Sequence, residues 1–334
     1  MRIAFFELEG WENHLILKEF STHEVYLSRN KLTPDEVTSD TGFEALSVFV
    51  DSRLTADVIA KFPNLKFIAT RSTGYDHIDI AACKARGIAV SYVPGYGDNT
   101  VAEFAFGLLL SLTRKIYAGV DRVKETGSFS LEGLRGVDLL GRTIGVIGTG
   151  RIGRHALRIA KGFGMRIVAF DPHPDSTFAS DTGFEYVDLE TLLRMSNVIT
   201  IHCPLTPETK HLINKENISL IKRGAYLVNT ARGGIVSTEA LIHALQEGIL
   251  AGAALDVLEE EGETKDELHM LTEGHPNAEA LSTMLRNHIL MKMPNVLVTP
   301  HLAFNSVEAL QRILGTTLVN IKTYAEGRPV NLVP

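Results

Sequence analysis

The sequence has only two cysteines, Cys83 and Cys203, and one tryptophan. Two thiols so far apart exclude a disulfide framework and a cysteine-rich zinc module, and they fit a reducing cytoplasm. Long apolar runs are missing as well. The most apolar stretch, Phe104 to Leu112, is far short of the ~18–20 residues a membrane span needs, and Glu103, Arg114 and Lys115 flank it. At the N-terminus the run Ile3 to Phe6 is followed at once by Glu7, Glu9 and Glu12, so a first buried strand is expected there rather than a signal sequence. Positive charge is not in excess: 33 Lys and Arg stand against 40 Asp and Glu, for a net charge of −7. That balance lacks the bulk electrostatics of a nucleic-acid binder. No internal repeat or low-complexity tract is evident.

What is present is the composition of an ordinary globular protein. Of 334 residues, 45% are apolar and 22% charged, a length that suggests roughly two domains. Short apolar runs alternate with helical patterns along nearly the whole chain. Strands are expected at 2–6, 24–27, 46–50, 66–70, 88–92, 143–147, 166–170, 198–202, 225–229, 252–256 and 296–299. Several are apolar at consecutive positions, as in LKFIAT and AYLVNT, which is the character of strands covered by helices on both faces. Strand–helix–strand alternation implies parallel sheets with right-handed crossovers. The strands form two groups, before residue 100 and after residue 140. Between them Thr100-Val101-Ala102-Glu103 has capping-box spacing and predicts a helix running to about Tyr117. Ser237-Thr238-Glu239-Ala240 predicts another helix start, with Gly248 placed to end it. A further helical pattern covers residues 278–291.

The strongest local motif is RTIGVIGTGRIGRHALRIAKGFGMRIVAFD. An apolar strand leads into Gly148-Thr149-Gly150-Arg151-Ile152-Gly153, a helical pattern follows, and a second strand ends at Asp171. Gly148 permits the tight turn, Gly150 lets backbone approach a pyrophosphate, and Gly153 lets helix and strand pack closely. The helix N-terminus offers free N–H groups and a positive dipole end to phosphates. Asp171 lies 18 positions after Gly153, the interval at which an acidic side chain meets the adenosine ribose hydroxyls.

Three downstream segments, LVNTARGGIVSTEAL, AGAALDVLEEEGE and VLVTPHLAF, stand at strand ends, where open parallel sheets bind ligands. Arg232, Asp256, Glu261 and His301 suit reduction of a 2-oxo acid. Arginine grips a carboxylate through two parallel hydrogen bonds. Histidine gives or takes a hydroxyl proton near neutral pH, and a glutamate beside it orients the ring. His202 and Cys203 are adjacent, but neighbours on an extended chain point apart and no ligand spacing surrounds them, so no metal is expected.

Together GTGRIG at 148–153, HCPLTPET at 202–209, NTARGG at 229–234, ALDVLEEE at 254–261, TPHLAF at 299–304, RSTGYDHID at 71–79 and VPGYGDNTVAEF at 93–104 resemble the D-isomer-specific, NAD-dependent 2-hydroxyacid dehydrogenases. The long stretch from Glu261 to His301, and Gly262 where many members have proline, resemble the D-lactate dehydrogenase branch. The resemblance implies an α/β fold of two doubly wound parallel-sheet domains. A discontinuous flavodoxin-like substrate domain would comprise residues 1–99 and 305–334, and a Rossmann cofactor domain residues 100–304. It implies Arg232, Glu261 and His301 as catalytic residues, with Glu259 and Glu260 as alternatives to Glu261. Cofactor contacts are implied at Gly148, Gly150, Arg151, Ile152, Gly153, Asp171, Cys203, Pro204, Thr209, Thr230, Ala231, Arg232 and Asp256. Substrate contacts are implied at Thr73, Gly74, Tyr96 and Phe49. Arg71, Tyr75 and Phe304 stand open between a pocket role and packing, and Arg53 and Arg71 are candidates for a second anion. The cofactor implied is NAD, and the partners a small 2-oxo or 2-hydroxy acid and a second copy in a homodimer. The activity implied is NADH-dependent reduction of a small 2-oxo acid, most of all pyruvate to D-lactate. Glyoxylate/hydroxypyruvate reductase, D-2-hydroxyisocaproate dehydrogenase and, in a different class, an NAD-sensing corepressor-like scaffold are the alternatives.

Overall fold

The computed structural model describes every residue except 35, 36, 38 and 260–277, and the side chains of 278–280. Its chain forms two compact units. One comprises Met1–Tyr96 with Ser306–Pro334, and the other Gly97–Asn305.

The first unit holds a parallel sheet of five strands: β1 (Arg2–Phe5), β2 (Glu24–Leu27), β3 (Ala45–Val48), β4 (Phe67–Thr70) and β5 (Ala89–Ser91). Their order is β2-β1-β3-β4-β5. Every residue of β3 and β4 is buried, which explains why these runs are apolar without alternation. The C-terminal helix Val307–Ala325 completes the unit, with Leu314 and Ile321 in one cluster with Ile3, Phe5 and Phe67. Tyr324 stacks on Phe67 at 4.1 Å between ring centroids.

The second unit holds seven parallel strands: β6 (Thr143–Ile147), β7 (Arg166–Phe170), β8 (Glu185–Tyr186), β9 (Val198–Ile201), β10 (Ala225–Asn229), β11 (Leu250–Leu255) and β12 (Val296–Val298). Their order is β12-β11-β10-β9-β6-β7-β8. The chain leaves β6 toward β7 and returns on its other side as β9, so strand order reverses between β6 and β9. Helices Asp98–Thr113 and Arg151–Gly162 share one core with this sheet, through Phe106, Leu109, Ala156 and Leu157.

Two sequence expectations yield to tertiary packing. The helix expected from a Thr100 cap begins instead at Asp98, with Gly97 at its cap and no side-chain cap bond. Glu103 accepts a bond from Asn99 at 3.0 Å rather than reaching back to a capping threonine. That helix ends at Thr113, not near Tyr117: Thr113 O accepts from Val137 N at 3.0 Å, and Lys115 turns left-handed at φ 56°. A second helix, Ile116–Thr126, then starts afresh. The two-residue strand β8 was not expected at all, being too short for a pattern. By contrast Ser237 does cap the helix Thr238–Gln246, accepting from Ala240 N.

Candidate functional site

In the second unit three glycines shape the loop that follows β6 beside β9. A Cβ on Gly148, whose φ is +90°, would lie 2.6 Å from Cys203 N and 2.8 Å from His202 C. A Cβ on Gly153 would lie 2.0 Å from Gly148 O, so the helix start can pack on the loop only without a side chain. A Cβ on Gly150 would meet nothing within 4 Å, which leaves the face of the loop clear. Gly150 precedes the helix Arg151–Gly162, whose first turn presents backbone N–H groups there.

Asp171 follows β7 beside this loop. Its Oδ2 accepts from Thr149 N at 2.7 Å and Thr149 Oγ1 at 2.9 Å, and its Oδ1 from His173 N at 2.9 Å. Partial burial opposes ionisation, but these bonds outweigh it and hold the carboxyl below its ordinary range. At the ends of β9 and β10 two buried polar atoms, His202 Nδ1 and Thr230 Oγ1, have no hydrogen-bond partner among the described residues. Open space over a glycine loop, helix N–H groups, an ionised carboxylate and orphaned polar atoms together fit a dinucleotide. Pro204 O accepts from Thr209 Oγ1 at 2.6 Å, which folds the 204–209 turn. Burial pushes the Cys203 thiol up to about 11, so it is an inert wall rather than a nucleophile.

Beyond β10, β11 and β12 stand Arg232, Asp256 and His301. Asn229 braces the arginine turn, accepting from Ala231 N and donating to Arg232 O, both at 3.0 Å. Asp256 is buried, and its carboxylate accepts from Thr299 Oγ1 at 2.5 Å, Leu302 N at 3.0 Å and Ala303 N at 2.9 Å. Burial pushes its carboxyl above the ordinary range, against the pull of these bonds and of His301. The same residue's carbonyl accepts from His301 N at 2.9 Å. His301 is thereby held in a left-handed turn, φ 52°, with its ring 6.5 Å from that of Phe304.

Glu261 and Glu260 lie outside the described residues. Glu259 is described, and its carboxylate is committed elsewhere. It accepts from His211 Nε2 at 2.5 Å and from Thr238 Oγ1 and N at 2.8 and 3.1 Å. Burial opposes its ionisation, yet these bonds hold its carboxyl below the ordinary range.

In the first unit Thr73 and Gly74 lie on a braced loop. Thr73 Oγ1 donates to Val93 O at 2.7 Å, Ser72 Oγ to Gly74 O at 2.5 Å, and Thr70 Oγ1 bonds both Ser72 and His77. Phe49 and Tyr96 line two different cavities. Phe49 shares one of about 40 Å³ with Trp11 and Arg71, and Tyr96 one of about 390 Å³ with Arg312 and Thr316. Arg71 is 2% exposed and bonds Phe6 O at 2.7 Å, Glu7 O at 2.8 Å and Ser47 Oγ at 3.2 Å. Tyr75 meets Tyr92 edge-on at 6.2 Å. Sequence reasoning passed over Glu7. Its backbone is left-handed at φ 54°, and its carboxylate takes Phe49 N and Asp51 N at 2.8 Å and the Ser52 hydroxyl. Its signal was a charged residue directly after the first buried strand.

Residues 106–303 match the family model for the D-isomer specific 2-hydroxyacid dehydrogenase, NAD binding domain. The chain belongs to this family. Its cofactor is NAD. It is 38% identical to a 2-hydroxyacid dehydrogenase homolog of Zymomonas mobilis, over 98% of both chains. It is 40% identical to the D-lactate dehydrogenase of Escherichia coli K12, over 89% of this chain and 88% of the other. A D-lactate dehydrogenase of Aquifex aeolicus, solved with NAD and lactic acid, matches with a TM-score of 0.84 at 35% identity, over 98% of this chain and 96% of that one. The dehydrogenase thus shares its two parallel sheets with the family. Among the described residues no helix is long and apolar enough to cross a membrane, and no group of side chains could hold a metal ion.

Proposed function

We propose that the chain reduces small 2-oxo acids to D-2-hydroxy acids with NADH, and that pyruvate to D-lactate is its main reaction. The observation that carries the reading is the Asp256-braced turn that presents His301 beyond the same sheet as Arg232. NADH, when bound, supplies the hydride to the 2-carbon. Arg232 grips the substrate carboxylate in a planar two-bond contact and polarises the carbonyl. His301 donates the proton that the carbonyl oxygen gains. Glu261 pairs with its ring; Glu259 is the weaker alternative, because His211 and Thr238 already occupy it. Gly148, Gly150, Arg151, Ile152 and Gly153 hold the pyrophosphate, Asp171 the adenosine ribose, and Cys203, Pro204, Thr209, Thr230, Ala231 and Asp256 the rest of the dinucleotide. Backbone N–H groups at Thr73 and Gly74 meet the substrate carboxylate, and Phe49 and Tyr96 limit its side chain.

An NADH-oxidation panel over pyruvate, glyoxylate, hydroxypyruvate, phenylpyruvate and branched 2-oxo acids tests this. Fastest turnover of pyruvate supports it, and no turnover of any member would leave a binding scaffold as the better reading. We place the enzyme in the cytosol as a homodimer. Phe129, Leu131 and Leu140 are 84%, 83% and 77% exposed, large apolar side chains of the kind that a second copy covers. Phe129→Asp should then sediment as a monomer.

A further inference from the structure

Tyr186 lies on β8, the outermost strand of the NAD-binding unit, paired through Ala169 with β7. Its ring packs edge-on against Phe184 at 5.0 Å. Its hydroxyl stands 2.8 Å from Thr149 Oγ1, which stands 2.9 Å from Asp171 Oδ2. The proton inventory gives this chain a direction. An ionised carboxylate only accepts, so the single hydroxyl proton of Thr149 goes to Asp171. Thr149 Oγ1 is then an acceptor toward Tyr186, and the phenol donates. Thr149 is 5% exposed, so water competes poorly for that place. Among the described residues Oδ2 takes two donors from Thr149, whereas Oδ1 takes one, from His173 N. Just one carboxylate oxygen, in one orientation, keeps room for a ligand hydroxyl.

We propose that Tyr186 is a specificity-determining positioning residue for the cofactor. Through Thr149 it fixes the Asp171 carboxylate with Oδ1 outward, so that the ribose hydroxyls of NADH are accepted and the 2′-phosphate of NADPH is repelled. The inference rests on the reading of Asp171 as the ribose contact. Hydrogen bonds in series polarise one another, so the phenol also strengthens the bond that Thr149 gives to the carboxylate. Without it Thr149 can turn, Oδ2 loses a donor, and the carboxylate rotates to an orientation less hostile to phosphate.

The test is calorimetric titration of the whole chain with NADH and with NADPH, without substrate. Tyr186→Phe keeps the ring against Phe184 and removes only the donor. It should weaken NADH binding about threefold to tenfold, the range of one net hydrogen bond, and lower the NADH-over-NADPH preference by a similar factor. Thr149→Val should do more, and Thr149→Ser should restore the wild-type preference. In an Asp171→Ala background Tyr186→Phe should change nothing further. A merely structural tyrosine would weaken both cofactors equally and lower the melting temperature. An unchanged preference in Tyr186→Phe, with a lost preference in Asp171→Ala, overturns the relay alone. An unchanged preference in Asp171→Ala overturns the ribose reading and the relay with it.

Discussion

Each sheet reverses its strand order beside its own first strand, at β1 and β3 in one unit and at β6 and β9 in the other. The two places are built from opposite materials. Between β6 and β9 there are glycines, bare N–H groups and the orphaned Nδ1 of His202. At the ends of β1 and β3 Glu7 bonds Phe49 and Asp51, Arg71 bonds the carbonyl of Phe6, and a cavity of about 40 Å³ is left beside them. Reversal points are where open parallel sheets bind ligands, but topology only offers the place. Side chains decide whether it is left open for a dinucleotide or closed into a brace for a loop.

Removing the brace should have the largest effect. Arg71→Met strands two carbonyls and leaves Glu12, itself buried 3.8 Å away, without its cation. Removing one member of a buried charged network costs about 3–5 kcal/mol, which urea unfolding would measure. A loss under about 1 kcal/mol would show that Arg71 does not hold the turn.

Acid should strike both units together. Burial depresses His77 in one unit and His202 in the other to about 4, below the ordinary 6.5. Between those values the unfolded chain binds more protons than the folded one. The contribution of these two histidines should therefore be full above pH 6.5, fall as pH drops through the window, and be spent below about 4, where loss of the ionised Asp171 and Glu259 carboxylates takes over. Each histidine contributes at most about 3 kcal/mol, and His77→Asn and His202→Asn should each flatten the curve of urea midpoint against pH. A midpoint constant from pH 7 to 4 would contradict this.

A smaller effect sharpens the meaning of an open crevice. Gly148→Ala places a Cβ 2.6 Å from backbone, in a left-handed conformation, and should cost about 1–3 kcal/mol. Gly150→Ala meets nothing. Its melting temperature should stay unchanged while NADH titration shows weaker binding. If both variants melt alike and bind alike, the two glycines do not have separate duties.

The difference between the two places also explains what sequence reading can reach. Buried parallel strands announce themselves, because LKFIAT and AYLVNT cannot alternate when both faces are covered. The glycine loop is legible because each glycine answers a local steric demand. Glu7 is not, because its partners Phe49, Asp51 and Ser52 become neighbours only through the order β2-β1-β3. Thr100 is not the cap because the helix starts a turn earlier, after Gly97, and leaves Thr100 inside its first turn. Tyr186 was invisible for lack of a pattern in a two-residue strand. Glu261 lies outside the described residues, and the commitment of Glu259 to His211 could not be read from three adjacent glutamates.

The left-handed backbone of His301 bears on how the enzyme is best dissected by chemical rescue. A residue with a Cβ carries roughly 1–2 kcal/mol of conformational cost at φ 52°, and glycine carries almost none. His301→Ala removes the ring and keeps that cost, whereas His301→Gly removes both. The glycine variant should therefore lose less stability than the alanine variant, and it leaves a vacancy the shape of an imidazole ring beside Phe304. Added imidazole should restore 2-oxo acid reduction to it in a saturable way, and less well to the alanine variant. The proton donor would then be an exchangeable reagent, and a series of substituted imidazoles would report how far proton transfer has advanced when the hydride moves.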